Sequence, residues 1–151
     1  MFLSYLWKTF RLVAGFILLI LFLRTLVIEP GRVNGVSMEP TYLDNQLFFI
    51  NKFQLIFQSP KRGQIVQARK PGSDALLIKR VVGLPGEAVT IRENRVEITD
   101  ERGVTTVLDE PYLGSGVVTL MPDSKPFTFP RLGPNEYFLL GDNRRFSGDS
   151  C

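Results

Sequence analysis

The chain has 151 residues, enough for one domain or a small domain with an appendage, and its 44% hydrophobic and 22% charged content is that of a folded protein. It has no histidine, which excludes a Ser-His-Asp or Cys-His triad and His-ligated zinc, and a single cysteine, Cys151, which excludes an intrachain disulfide. The net charge of +3 is carried by Lys8, Arg11 and Arg24, because from Thr25 onward 15 basic residues meet 15 acidic ones; no basic face points to nucleic acid.

The first element in the chain is apolar. Leu12–Leu23 holds 12 uncharged residues in a row, and continuing through Arg24 and Thr25 to Ile28 gives 17. As a helix this rises about 26 Å, close to the ~30 Å hydrocarbon layer. Arg24 lies near the end of the span, where a long side chain snorkels to the interface. Tyr5, Trp7 and Phe10 suit the opposite interface. A cleaved signal peptide and a buried core helix are the competing readings. No A-x-A-like cleavage site follows, however, so a retained anchor is expected. Lys8 and Arg11 precede the span, which predicts a cytoplasmic N-terminus and a single pass through the plasma membrane, with the remainder extracytoplasmic.

Past Pro30 the pattern is β. Short runs rich in Val, Ile, Leu and Phe predict strands over Gln46–Asn51, Gln64–Arg69, Ala75–Val82, Ala88–Arg92, Arg95–Thr99, Val117–Leu120 and Glu136–Leu140. Glu93-Asn94 predicts a tight hairpin turn. Asp100–Pro130 is polar and Pro-interrupted, and reads as an insertion or an irregular β subregion. The expected fold is mostly β, a sheet or barrel preceded by one transmembrane helix. The expected organisation is an N-terminus and anchor over 1–28 and a β domain over 29–151.

Three clusters within this frame carry polar residues suited to chemistry. Gly35-Val36-Ser37-Met38-Glu39-Pro40-Thr41-Tyr42 puts a serine in a loop between Gly and Pro; alone it reads equally as a turn. Lys79 lies in Leu76-Leu77-Ile78-Lys79-Arg80-Val81-Val82, where strand alternation gives it Leu77 and Val81 as neighbours on its own face. Desolvation there disfavours an ammonium, and a neutral lysine can act as a general base. The alternative is an exposed edge lysine that blocks strand pairing. Gly141-Asp142-Asn143-Arg144-Arg145-Phe146-Ser147-Gly148-Asp149-Ser150 follows an apolar strand and, alone, reads as a loop.

Taken together and in this order, the clusters resemble bacterial type I signal peptidases, the Ser/Lys endopeptidases that remove signal peptides from exported proteins. Ser37 to Thr41 resembles the family's serine box S-M-x-P-T, and Lys79 to Glu87 its lysine box K-R-V-x-G-x-P-G-[DE]. Gly141 to Ser150 resembles the box G-D-N-R-x-x-S-x-D-S, and Arg62 to Val66 the box R-G-D-I-V. The resemblance implies that Ser37 is the nucleophile and Lys79 its general base, with Ser147 orienting the lysine. It implies backbone oxyanion donors at Ser37 and Gly35, and supporting roles for Arg80, Asp142, Asn143, Arg144 and Asp149. The implied partners are a lipid bilayer and signal peptides of Ala-x-Ala type bound as an added strand. No metal or organic cofactor is implied.

The sequence departs from the pattern at four places. Gly35 stands where many members carry a serine, Tyr42 replaces a leucine, and Gln64 replaces the aspartate of R-G-D-I-V. Cys151 occupies the position of an arginine that would pair with Asp149, and the β domain reads as C-terminally truncated. Two other functions remain open on sequence: an inactive membrane-tethered β module that binds exported chains, and a Ser/Lys autoprotease of the repressor-cleaving type.

Overall fold

The computed structural model describes residues 2–69, 74–114, 117, 119 and 126–145. By contact density it divides into two compact units, one made of 1–32 and 47–59, the other of 33–46 and 60–151.

The first unit begins with helix α1, Phe2–Leu26, 25 residues of mostly Leu, Ile and Phe with no proline. It is apolar on all sides, and the stretch Phe2–Arg24 has a mean hydropathy of 2.0 with none of it buried. A helix with no polar face and no protein cover fits lipid as its solvent. It starts at Phe2 rather than near Leu12, so Lys8 and Arg11 ride on its early turns; it ends at Leu26, and Ile28 already belongs to a strand. Pro30 lacks an N–H to continue a helix and holds the chain extended. Strand β1, Ile28–Arg32, pairs antiparallel with β2, Leu47–Asn51, with Pro30 opposite Phe49. The six-residue helix α2, Lys52–Phe57, follows at once, its first turn capped by Asn51, which accepts from the Gln54 N–H at 3.3 Å.

The second unit holds two antiparallel sheets. One runs β3–β4–β9, where β3 is Ile65–Arg69, β4 is Leu76–Gly83 and β9 is Phe138–Leu140. The other runs β7–β6–β5–β8, where β5 is Ala88–Arg92, β6 is Arg95–Thr99, β7 is Thr105–Val107 and β8 is Phe127–Thr128. Val82, Val89, Val96, Ile98, Phe138 and Leu140 form the core, flanked by Leu108, Phe129 and Leu132. On β6 the alternation is clean, with Val96 and Ile98 buried between exposed Arg95 and partly exposed Glu97 and Thr99. Glu93 and Asn94 take φ of 49° and 63°, the left-handed pair a two-residue primed hairpin needs. At Gly83 the pairing of β4 with β9 slips by a residue, and an added Cβ would meet Val89 Cγ2 at 2.7 Å and Phe138 Cβ at 2.9 Å.

The fold is mostly β with one N-terminal apolar helix, and six of the seven expected strands are present within two residues of their expected ends. The seventh, Val117–Leu120, is not formed at Val117 or Thr119, and its other two residues lie outside those described. Strand β1 and helix α2 were not expected, and β7 and β8 fall within Asp100–Pro130, where an irregular β subregion was one of the two readings. Pro30 and Gly31 hide β1 from any propensity argument, and the others are too short to show a period.

Candidate active site

The serine loop, 33–46, is closed at its base by backbone. The Val33 N–H donates to Gln46 O at 2.8 Å, and the Asn45 N–H to Val33 O at 3.0 Å. The Gly35 N–H donates to Asp44 Oδ1 at 2.7 Å, with Gly35 at φ +97°. That N–H faces a carboxylate, so it can serve as an oxyanion donor only after Asp44 lets go. A serine at position 35 would find open space, but on a left-handed backbone that disfavours any side chain. Two turn bonds shape the apex, Glu39 N–H to Val36 O at 3.1 Å and Tyr42 N–H to Met38 O at 2.9 Å. Met38 is fully buried and roots the loop, while Ser37 beside it stays half-buried.

Lys79 sits in the middle strand of its sheet, opposite Val66 of β3, and is 2% exposed. Its strand is exposed at Leu76 and buried from Lys79 to Gly83, so both Lys79 and Arg80, on opposite faces, lie under cover. Arg80 forms a two-pronged ion pair with Asp142, Nε to Oδ1 at 2.8 Å and Nη2 to Oδ2 at 2.6 Å. Arg80 also donates to Gly63 O at 2.7 Å, and its guanidinium lies 3.9 Å from the centre of the Tyr112 ring. Burial by itself would lower the Arg80 pKa; the bond to Asp142 and its charge more than offset this, so the pKa is raised and Arg80 stays a cation.

The loop after β9 connects these parts. Asp142 takes the Arg80 fork and also accepts from Thr41 Oγ1 at 2.5 Å. The next residue, Asn143, donates its N–H to Ser37 O and its side-chain amide to Val36 O, both at 3.0 Å. The next, Arg144, is buried: its Nε donates to Gly141 O at 3.0 Å, its Nη1 and Nη2 donate to the two carboxylate oxygens of Glu110, and Nη1 also reaches Thr119 Oγ1. Tyr112 donates to Glu110 Oε1 at 2.6 Å. Burial first, then the neighbouring Glu110 carboxylate, pushes the Tyr112 hydroxyl up from its ordinary pKa of 10.0.

The turn around Arg62 supports the lysine strand from the other side. The Arg62 guanidinium donates to Val82 O and pairs with Glu87 Oε1 at 2.5 Å. Gln64, where the resemblance has an aspartate, accepts the Lys61 N–H at 3.1 Å through its side-chain oxygen, so the turn keeps its cap. Among the described residues no three His, Cys, Asp or Glu side chains come together as a metal site.

Of the residues singled out on sequence, Arg80, Asp142, Asn143 and Arg144 converge on the serine loop and the lysine strand. Ser147 and Asp149 lie outside the described residues. Glu110, Tyr112 and Thr119 join the network from Asp100–Pro130, the stretch expected as an insertion or an irregular β subregion. Their only trace there is an acid–aromatic pair, Glu110-Pro111-Tyr112, in a polar run.

Over residues 6–151 the sequence matches the family model described as "Signal peptidase, peptidase S26". Signal peptidase I of Bacillus amyloliquefaciens is 33% identical over 141 residues, covering 89% of this chain and 71% of the relative. Signal peptidase I S of Bacillus subtilis strain 168 is 32% identical over 139 residues, covering 89% and 72%. Signal peptidase I V of the same strain is 30% identical over 153 residues, covering 95% and 88%. The crystal structure of a signal peptidase I from Enterococcus faecalis V583 is 31% identical and superposes with a TM-score of 0.49, covering 62% of this chain and 85% of that one.

Proposed function

This chain belongs to the signal peptidase family, peptidase S26, and we propose that Ser37 and Lys79 form its catalytic dyad. It is a membrane-anchored serine endopeptidase that acts on the signal peptides of exported preproteins. In the proposed reaction Lys79, as a neutral amine, takes the Ser37 hydroxyl proton while Ser37 Oγ attacks the scissile carbonyl. The Ser37 N–H donates to the oxyanion, with the Gly35 N–H as a second donor once Asp44 releases it. Collapse breaks the C–N bond, Lys79 returns the proton to the leaving amine, and the signal peptide stays esterified to Ser37. Water then attacks the ester, giving up its proton to Lys79, and the serine is regenerated.

Ser147 is proposed to orient the Lys79 amine, and Asp149 to brace the loop that carries it. Substrate is proposed to bind as an added strand, with small residues at −1 and −3 in the Ala-x-Ala manner. The proposed body of the enzyme is 29–151, outside the plasma membrane, with the N-terminus cytoplasmic as Lys8 and Arg11 favour.

The observation that carries this reading is a pair of adjacent residues. Asp142 grips Arg80, next in sequence to Lys79, and Asn143 grips the carbonyl of Ser37. One short loop thus sets both the strand of the base and the backbone of the nucleophile. The test is cleavage of a preprotein by membranes containing the chain. Wild type is expected to release the mature protein, and Ser37→Ala and Lys79→Ala to leave the precursor intact. Normal cleavage by Lys79→Ala would overturn the reading.

A further inference from the structure

The sequence around Asp109–Leu113 carries none of the family-like boxes, yet it supplies two side chains to a buried polar cluster of the second unit. Glu110 holds Arg144 through both carboxylate oxygens, and the Arg144 side chain is 1% exposed. Tyr112 lies under the Arg80 guanidinium at 3.9 Å and donates to the same Glu110 at 2.6 Å. Two cations and two anions, Arg80 with Asp142 and Arg144 with Glu110, are thereby joined through one aromatic ring. Such a cluster is a poor source of net stability, because desolvation offsets the Coulomb gain; what it fixes well is geometry.

The positions of its two arginines decide which geometry. Arg80 follows Lys79, and Arg144 follows Asn143, the residue bonded to Ser37 O and Val36 O. Resting on the Ser37/Lys79 reading above, we propose that Glu110 and Tyr112 are positioning residues of the peptidase, a single brace that sets the lysine strand and the Asn143 grip on the serine loop at the same time. Glu110 acts through Arg144, and Tyr112 acts through Arg80.

The brace is tested on the full chain in membranes by measuring kcat and KM for a preprotein, with circular dichroism to follow folding. Glu110→Gln is expected to lower kcat at least tenfold and leave KM within twofold, since the loop carrying Asn143 is displaced while neither Glu110 nor Arg144 is assigned a contact with substrate. Tyr112→Ala is expected to do the same, and Tyr112→Phe to recover most of the loss, because the ring under Arg80 remains. A kcat within twofold of wild type in both Glu110→Gln and Tyr112→Ala, or a loss confined to KM, would overturn the proposal, whatever happens to the melting temperature. If Glu110→Gln fails to fold, the Ala and Phe variants at Tyr112 decide. Wild type and Ser37→Ala run alongside. An inactive wild type would count against the dyad reading, whereas an active wild type matched by its brace variants would count against the brace alone.

Discussion

Asp142 and Arg80 are the residues on which the site's polar architecture turns, with side chains 0% and 9% exposed and two charge-assisted bonds between them. Replacing Asp142 by Asn strands a buried guanidinium, and breaking such a pair from one side costs on the order of 3–5 kcal/mol. Denaturant unfolding of Asp142→Asn should show that loss, and a change below about 1 kcal/mol would mean water compensates Arg80. Tyr112 predicts behaviour in alkali. Its pKa is raised in the fold by burial and by Glu110, so the folded state holds the proton more tightly than the unfolded chain does. The stability this provides is present below pH 10 and falls as pH rises beyond it. Thermal melts above pH 10 should show a steeper decline for wild type than for Tyr112→Phe.

At the scale of elements, the sheets hinge on a few backbone positions. Gly83 lies where β4 slips against β9, and a methyl there would press on Val89 and Phe138. Gly83→Ala is therefore expected to lower stability by about 1–3 kcal/mol, read as a drop in melting temperature. In the β5–β6 hairpin the strain runs the other way. Glu93 sits at φ 49°, a conformation that asparagine tolerates better than glutamate. Glu93→Asn should thus raise stability, by up to about 1 kcal/mol; an unchanged melting temperature would show the turn to be unstrained. The hairpin was legible in the sequence because alternation of Val89, Ile91, Val96 and Ile98 on either side of Glu93-Asn94 is a local signal. So were the strands carrying Lys79 and the loop after β9. The Arg80–Asp142 pair spans 62 positions and Arg144–Glu110 spans 34, and no period or propensity encodes which acid meets which base at such separations. The family resemblance reached Asp142 and Arg144 as loop residues with a role, but the partners Glu110 and Tyr112 became visible only once the chain was folded.

For the whole molecule, the two compact units call for different solvents. The first exposes α1 along its length and, beyond it, Phe49 at 73%, Phe53 at 52% and Phe57 at 69%. A variant lacking residues 2–26 is therefore expected to remain prone to self-association, since removing the helix leaves those rings. Size-exclusion chromatography should show oligomers, and Phe53→Ser with Phe57→Ser should shift the variant toward monomer. The second unit is built from pieces that are discontinuous in sequence. The serine loop 33–46 is spliced between β1 and β2, so the polypeptide passes from one unit to the other at 32–33, at 46–47 and again at 59–60. Bodies joined by one peptide can be parted with one cut; these are laced together like a seam with three stitches. A protease nick at any single stitch leaves the other two holding. A catalytic body freed of its anchor therefore has to be made by shaving α1 away and keeping β1 and β2, because discarding the whole first unit would unpick the strands on both sides of Ser37.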